Sequence, residues 1–211
     1  MAEKMATRQA YGSTLAALGA KDENIVVLDA DLSGSTMTKV FAKEFPERFF
    51  NVGIAEQNLY GIATGMALSG KTVFASTFAI FAAGRAFEII RNSIGYTRAN
   101  VKICATHAGV TVGEDGGSHQ AIEDMALMRT IPGMTVINPS DGVSAGKLIE
   151  KAAAMHGPVY VRLGRAAVPI VYDEETKFEI GKAVTLREGS DYTIIATGIM
   201  VNEALNAADV L

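Results

Sequence analysis

Little in this sequence points to a stapled, membrane-bound or nucleic-acid-binding protein. There is one cysteine, Cys104, set in the apolar run VKICAT, so no disulfide can form within the chain and a reducing compartment suits it. Acidic residues outnumber basic ones, 23 against 19 for a formal charge of −4, which leaves no basic footprint for nucleic acid. No apolar stretch approaches the roughly 18 residues of a membrane span, and MAEKMATRQ carries no signal core. These features together describe a cytoplasmic protein. Several catalytic signatures are also missing. The chain has no GxxxxGK[ST] loop, no His-Glu-x-x-His, no paired-cysteine metal site, no GxSxG elbow, and no GxGxxG after its first strand.

The composition supports a large core. Of 211 residues, 49% are hydrophobic and 20% charged, and mean hydropathy is +0.21; that balance excludes disorder. Along the chain, helical and extended patterns alternate. Helical period runs over 4–19, then NIVVLDA (24–30) is a continuous apolar run of the kind buried on both faces of a sheet. A short helix over 38–45 stops at Pro46. Helix 56–69, strand 71–76, helix 78–95 and strand 101–106 follow, then a Gly-rich loop, helix 119–129, strand 134–139, helix 141–155 and strand 158–163. Repeated β-loop-α units predict an α/β fold, a parallel sheet with helices on both faces.

That rhythm covers residues 1–165. Residues 166–190, with Pro169 and the DEETK cluster, read as a linker containing a hairpin. Residues 191–211 begin another β-loop-α unit, strand YTIIATG and an amphipathic helix. One strand and one helix cannot close a core, so this segment reads as the truncated start of a further α/β domain.

Ligands of open α/β sheets lie beyond the carboxyl ends of the strands. The loops there hold Asp29, Asp31, Ser33 and Ser35 after the first strand and Phe78 and Phe81, three apart on a presumed helix face, after KTVFAS. They also hold His107, Glu114, Asp115 and His119 in HAGVTVGEDGGSHQ, and Arg165 after PVYVRL. Each has a structural reading: Phe78 and Phe81 as core, Asp31 with Ser33 and Ser35 as a helix cap, His107 as an ordinary loop residue. Glu56 begins a helix whose next ten residues, LYGIATGMAL after Gln57 and Asn58, carry no charge. The helix dipole alone would favour an acid there. The GEDGGSHQ loop is hardest to explain structurally, because three glycines, two acids and a histidine are costly without a need for them.

Taken in order, ATR (6–8), DADLSGS (29–35), NVGIAEQN (51–58), STFAIF (76–81), ATHAGVTVGEDGGSHQ (105–120), IPGMTVINPSD (131–141) and RLGR (162–165) resemble the pyrimidine-binding domain of transketolases, thiamine-diphosphate enzymes. VGIAEQ is shared with deoxyxylulose-phosphate synthase, whereas the long histidine loop is similar to transketolase. Other relatives to weigh are the β-subunit of a 2-oxo-acid dehydrogenase and an assembly subunit that has lost its site. The resemblance implies transfer of a two-carbon ketol unit between sugar phosphates. It also implies a separate N-terminal subunit that binds the pyrophosphate and the divalent metal (Mg or Ca), with no metal ligand on this chain, and a homodimer.

By the same resemblance Glu56 hydrogen-bonds the aminopyrimidine and takes part in its proton transfers. A carboxyl in a water-poor place shares a proton readily. Phe78 and Phe81 would stack on the pyrimidine and Asp31 would lie near it. His107, Asp115 and His119 would address substrate hydroxyls and the carbonyl, with both histidines aiding proton transfer. Arg8, Ser35 and Arg165 would bind the sugar phosphate, the arginines through charge-assisted forks. Gly84 stands where many transketolases have tyrosine, and Ala108 where an aspartate is common.

Overall fold

A computed structural model describes residues 3–211. Lys4–Ala6 is a short strand, β1, and the first helix, α1, runs Thr7–Lys21. The helix begins later than its period suggests because Lys4–Ala6 is drawn into antiparallel pairing with Ala167–Pro169. Strand β2 (Ile25–Asp29) is wholly buried. Two short helices follow, α2 (Ser33–Thr36) and α3 (Lys39–Glu44), then β3 (Phe49–Asn51) and α4 (Glu56–Leu68).

Strand β4 (Thr72–Phe78) leads into a segment expected to be one helix over 78–95. It is not one. Phe78 closes the strand, and the helix is broken into a π turn at Phe81–Arg85, one α turn, α5 (Phe87–Ile89), and a second π turn at Ile90–Gly95. The wider turns bond residues five apart, as in Ala86 N–H to the Phe81 carbonyl, 3.1 Å.

Strand β5 (Val101–Thr106), α6 (Asp124–Arg129), β6 (Thr135–Ile137), α7 (Gly142–Ala154), β7 (Val159–Arg162) and β8 (Ala167–Pro169) complete the main unit. Helix α6 starts well after residue 119, because Gly113 and Gly116 hold left-handed backbone before it and Gly117–His119 makes only a 3-10 turn. The six strands β3-β2-β4-β5-β7-β6 form one parallel sheet.

Alternation along the strands sends side chains to two cores. Ala75, Ile103 and Tyr160 meet Leu59, Tyr60 and Ala63 of α4 and Ile90 and Ile94 of the π segment. Phe74, Cys104 and Val161 meet Tyr11 and Leu15 of α1 and Ala145 and Ile149 of α7. Helices thus cover both faces, as the sequence predicts. Close approach is built in: a Cβ on Gly12 of α1 would lie 2.8 Å from that of Met37.

Beyond β7 two expectations fail. The hairpin in 166–190 does not form locally, since β8 pairs back with β1 across the chain. The strand expected at 192–198 is irregular, with Tyr192 and Ile195 exposed. A strand needs a neighbour along its length; among the described residues no strand pairs with this segment, and it is tied on by the Gly198 N–H, which donates to the Asn138 carbonyl at 3.2 Å. Helix α8 (Met200–Ala208) follows as expected.

Candidate functional site

Because the sheet is parallel, every strand delivers its carboxyl end to the same edge. There β2 ends at Asp29, β3 at Asn51, β4 at Phe78, β5 at Thr106 and β7 at Arg162. Asp31, Phe81, His107 and Arg165 lie within three residues of these ends, whereas Glu56 and His119 come later in the loops and Arg8 comes from α1.

Phe78 and Phe81 meet, although not as helix neighbours: one ends β4, the other opens the π turn. Their rings lie 5.8 Å apart and are nearly parallel, at 11°. His107 stacks on Phe78 at 3.9 Å, and His119 sets its ring edge-on, 5.4 Å from Phe81 and 6.2 Å from Phe78. His107 has φ +59°, a left-handed conformation rarely held by a residue with a side chain, and it turns the chain sharply out of β5. Its Nδ1 shares a hydrogen bond with the Thr106 hydroxyl, 3.0 Å. Burial first, then the positive charge of Arg8, pushes the His107 imidazole down to about 4, against a smaller pull from Asp115. His107 is therefore neutral at physiological pH.

Glu56 is the first residue of α4 and is buried, with 2% of its side chain exposed. Its Oε2 accepts a 2.8 Å hydrogen bond from Nη1 of Arg85. The Arg85 guanidinium also lies 4.6 Å from the ring centre of Phe81. Arg85 thus links the carboxylate to the aromatic cluster. Sequence reading missed it, since an arginine in a helical stretch looks like solvated surface. The available signal was its place four residues after Phe81, next to Gly84.

Two cations, Arg8 and Arg165, gather near His107. Arg8 donates through Nη1 to the Ser35 carbonyl (2.7 Å) and through Nε to the Arg165 carbonyl (3.3 Å). Burial and the neighbouring charge of Arg165 both lower its pKa. Arg165 pairs with Glu114 at 2.6 Å. Ser35 enters this arrangement through its backbone. Asp115 is exposed, yet near enough to act on both Arg8 and His107.

Asp31 is engaged by Asn51. It too is left-handed, φ +62°, and it exchanges two hydrogen bonds with Asn51 at 2.9 and 3.1 Å. No side chain caps α2, which starts after Leu32; Asp29 instead ties down the turn that leads into it. Its buried carboxylate accepts from the Leu32 N–H (2.6 Å) and the hydroxyls of Thr36 (2.6 Å) and Thr38 (2.8 Å). Burial nonetheless raises its pKa.

With this edge described, comparison with known proteins becomes specific. Residues 3–171 match the transketolase pyrimidine-binding domain. The chain belongs to that family. Residues 181–211 match the transketolase C-terminal domain. A putative transketolase C-terminal section from Methanocaldococcus jannaschii is 60% identical over 206 residues, covering 97% of this chain and 65% of that protein. Human transketolase is 42% identical over 212 residues, 99% of this chain and 34% of its own length. A solved structure described as "Split gene transketolase, inactive beta4 tetramer" superposes with a TM-score of 0.90 at 58% identity, covering 99% of this chain and 68% of that one. The chain therefore spans about two thirds of the split relatives and a third of the human transketolase. Among the described residues no helix is long and apolar enough to cross a membrane.

Proposed function

We propose that this chain is the pyrimidine-binding part of a split transketolase, working with a separate pyrophosphate-binding subunit to move a two-carbon ketol unit between sugar phosphates. The observation that carries this reading is the meeting of Glu56, Phe81, His107 and His119 on one sheet edge, in a chain whose family is transketolase.

The residues present fit thiamine diphosphate. Phe81, partly exposed and near-parallel to the buried Phe78 ring, offers apolar surface to an aromatic ring. Beside it a buried carboxylate, Glu56, can bond a ring nitrogen and hold or release a proton there. When bound, the cofactor supplies the electron sink for cleaving a ketose carbon–carbon bond. We assign the divalent metal, Mg or Ca, to the partner subunit.

The remaining residues act on the sugar. His107 is neutral and its Nδ1 is engaged by Thr106, so Nε2 is left for a substrate hydroxyl or carbonyl. His119, across the aromatic pair, can serve the same group from a second direction. Asp115 would accept from hydroxyls. Arg8, Ser35 and Arg165 would bind the phosphate, and the two arginines, joined by a hydrogen bond, offer adjacent positive charge. Asp31 would border the cofactor. The buried thiol of Cys104 suits a reducing, cytoplasmic setting.

Self-association belongs to this reading. Ala63 and Ala67 of α4 face the core, while Gly61 and Gly65 face outward, where an added Cβ would meet nothing within 4 Å. That flat strip, with exposed Leu68 beside it, suits a two-fold mate, and we expect at least a homodimer by light scattering.

The decisive experiment mixes this chain with its pyrophosphate-binding partner and assays ketol transfer between sugar phosphates, with thiamine diphosphate and Mg present. Activity should require both chains. Calorimetry on this chain alone should find weak cofactor binding, since the pyrimidine is a small ring and most contacts lie elsewhere. Tight, metal-dependent binding to the isolated chain would overturn the split-enzyme reading.

A further inference from the structure

Residues 107–123 form a long excursion between β5 and α6, with left-handed glycines at 109, 113 and 116. Its two histidines must nevertheless reach one pair of phenylalanine rings. His107 stands at the start of the outgoing arm and His119 on the returning arm, and both contact Phe78. A flexible loop of this length pays entropy to close, so something at its base must fix the spacing of the arms.

Backbone contacts contribute. The Gly109 N–H donates to the Ala121 carbonyl (2.8 Å), part of a parallel bridge between Ala108 and Ala121, and the Ala108 N–H donates to the Leu163 carbonyl (3.2 Å). Side chains join the arms too: Gln120 Nε2 donates to the Val110 carbonyl (3.2 Å), and Arg162, the last residue of β7, reaches both arms from the sheet. Its Nη2 donates to the Ala121 carbonyl at 3.1 Å on the returning arm. On the outgoing arm it packs so close to Gly109 that an added Cβ there would sit 3.3 Å from Nη2. Its Nε is held by Oδ2 of buried Asp124, 2.8 Å, and the same oxygen accepts from the Tyr160 hydroxyl, 2.8 Å. Among the described residues Oδ1 of Asp124 has no partner, and both donors meet on Oδ2.

We infer that Arg162, clamped by Asp124, is a positioning residue: its planar fork sets the two arms of the loop so that His107 and His119 converge on Phe78 and Phe81. That the histidines serve catalysis rests on the transketolase reading; the clamp itself does not. A lysine could keep the charge near Asp124, but it has no second donor fixed in plane to reach Ala121 as well. A buried ion pair that only stabilised the fold would behave differently, and this can be measured.

The test is Arg162→Lys in the full chain, followed by NMR of the histidine ring protons. In the parent chain the His107 and His119 signals carry ring-current shifts from the two phenylalanines, and exposed His156 serves as an internal reference. Arg162→Lys should abolish most of the shift at both histidines together and leave His156 unchanged. Ile149→Ala, which opens the core on the opposite face of the sheet, should lower thermal stability while leaving all the histidine shifts in place. If Arg162→Lys does not fold, Asp124→Asn replaces it, with a smaller loss expected at the same two signals. In the assembled enzyme Arg162→Lys should cut kcat/KM on the order of a hundredfold, as misplaced groups do. Histidine shifts that stay at parental values in the folded variant would overturn the inference. If the parental complex shows no ketol transfer, the functional reading fails and the NMR result still decides the clamp.

Discussion

Arg85 and Glu56 form a lopsided pair: the carboxylate is 2% exposed and the guanidinium 51%, with 2.8 Å between Nη1 and Oε2. The arginine can swing into water at little cost, whereas the glutamate cannot follow. Charge at the mouth of α4 is therefore compensated by a partner that is free to leave. Arg85→Leu should lower stability by about 1–2 kcal/mol in urea unfolding, below the ~3–5 kcal/mol of a fully buried pair, because half the guanidinium is already hydrated. No change at all would mean that water compensates the carboxylate equally well.

Glu56→Gln is close to isosteric and keeps the hydrogen bond from Arg85, so the unfolding midpoint should move little. Ketol transfer with the partner subunit present should fall about 10²–10⁴-fold, the usual cost of a lost acid/base group. Extra cofactor should not restore it. Turnover near the parental rate would remove Glu56 from proton transfer.

For His107 the pH dependence has a definite sign. The folded imidazole titrates at about 4, below its ordinary 6.5. As pH falls through 6.5 the unfolded chain takes up a proton that the folded chain refuses, so this contribution destabilises the fold. The loss grows down to about 4 and is constant below it, and above 6.5 it is absent. In urea unfolding at pH 7 and pH 4.5, His107→Gln should show a smaller drop between the two than the parent. NMR titration of the parent should find His107 unprotonated at pH 5.

Gly12 tests the packing of α1. Alanine normally gains stability in a helix, but here its Cβ would fall 2.7 Å from the Met37 carbonyl oxygen. Gly12→Ala should cost about 1–3 kcal/mol, the range for overpacking. A thermal melt at or above the parental midpoint would show that Met37 can retreat.

How much of this was legible depends on where the determining force lies. Buried runs such as NIVVLDA and VKICAT announce β2 and β5 because burial on both faces leaves only apolar residues to choose. Strands β1, β3 and β8 are three residues each; partners make them, and no local period can. His107 and His119 stood out because a loop rich in glycine and charge is costly to fold, and Glu56 because it opens a helix that otherwise carries no charge and matches the transketolase pattern. The spacing of Phe78 and Phe81 led to the right contact for the wrong reason, since a helix face was expected and a strand end meeting a π turn does the same work. Arg85 and Arg162 were invisible because a lone arginine looks alike on a surface and in a clamp. The segment 192–198 reads as a strand by its apolar residues, yet extended structure is a property of pairs.

The π turn at Phe81–Arg85 has an evolutionary corollary. A π turn is an α turn that has absorbed one additional residue, so removal of a single alanine, Ala82 or Ala83, would let the turn tighten while the helix beyond it kept its rotational phase. Phe87 and Ile90 would still face the sheet. The same one-residue change within β4 would transpose every later side chain of that strand to the opposite face. A change of one residue at this point would thus leave the core in place and alter which side chain leans over Phe81, the position Arg85 now holds.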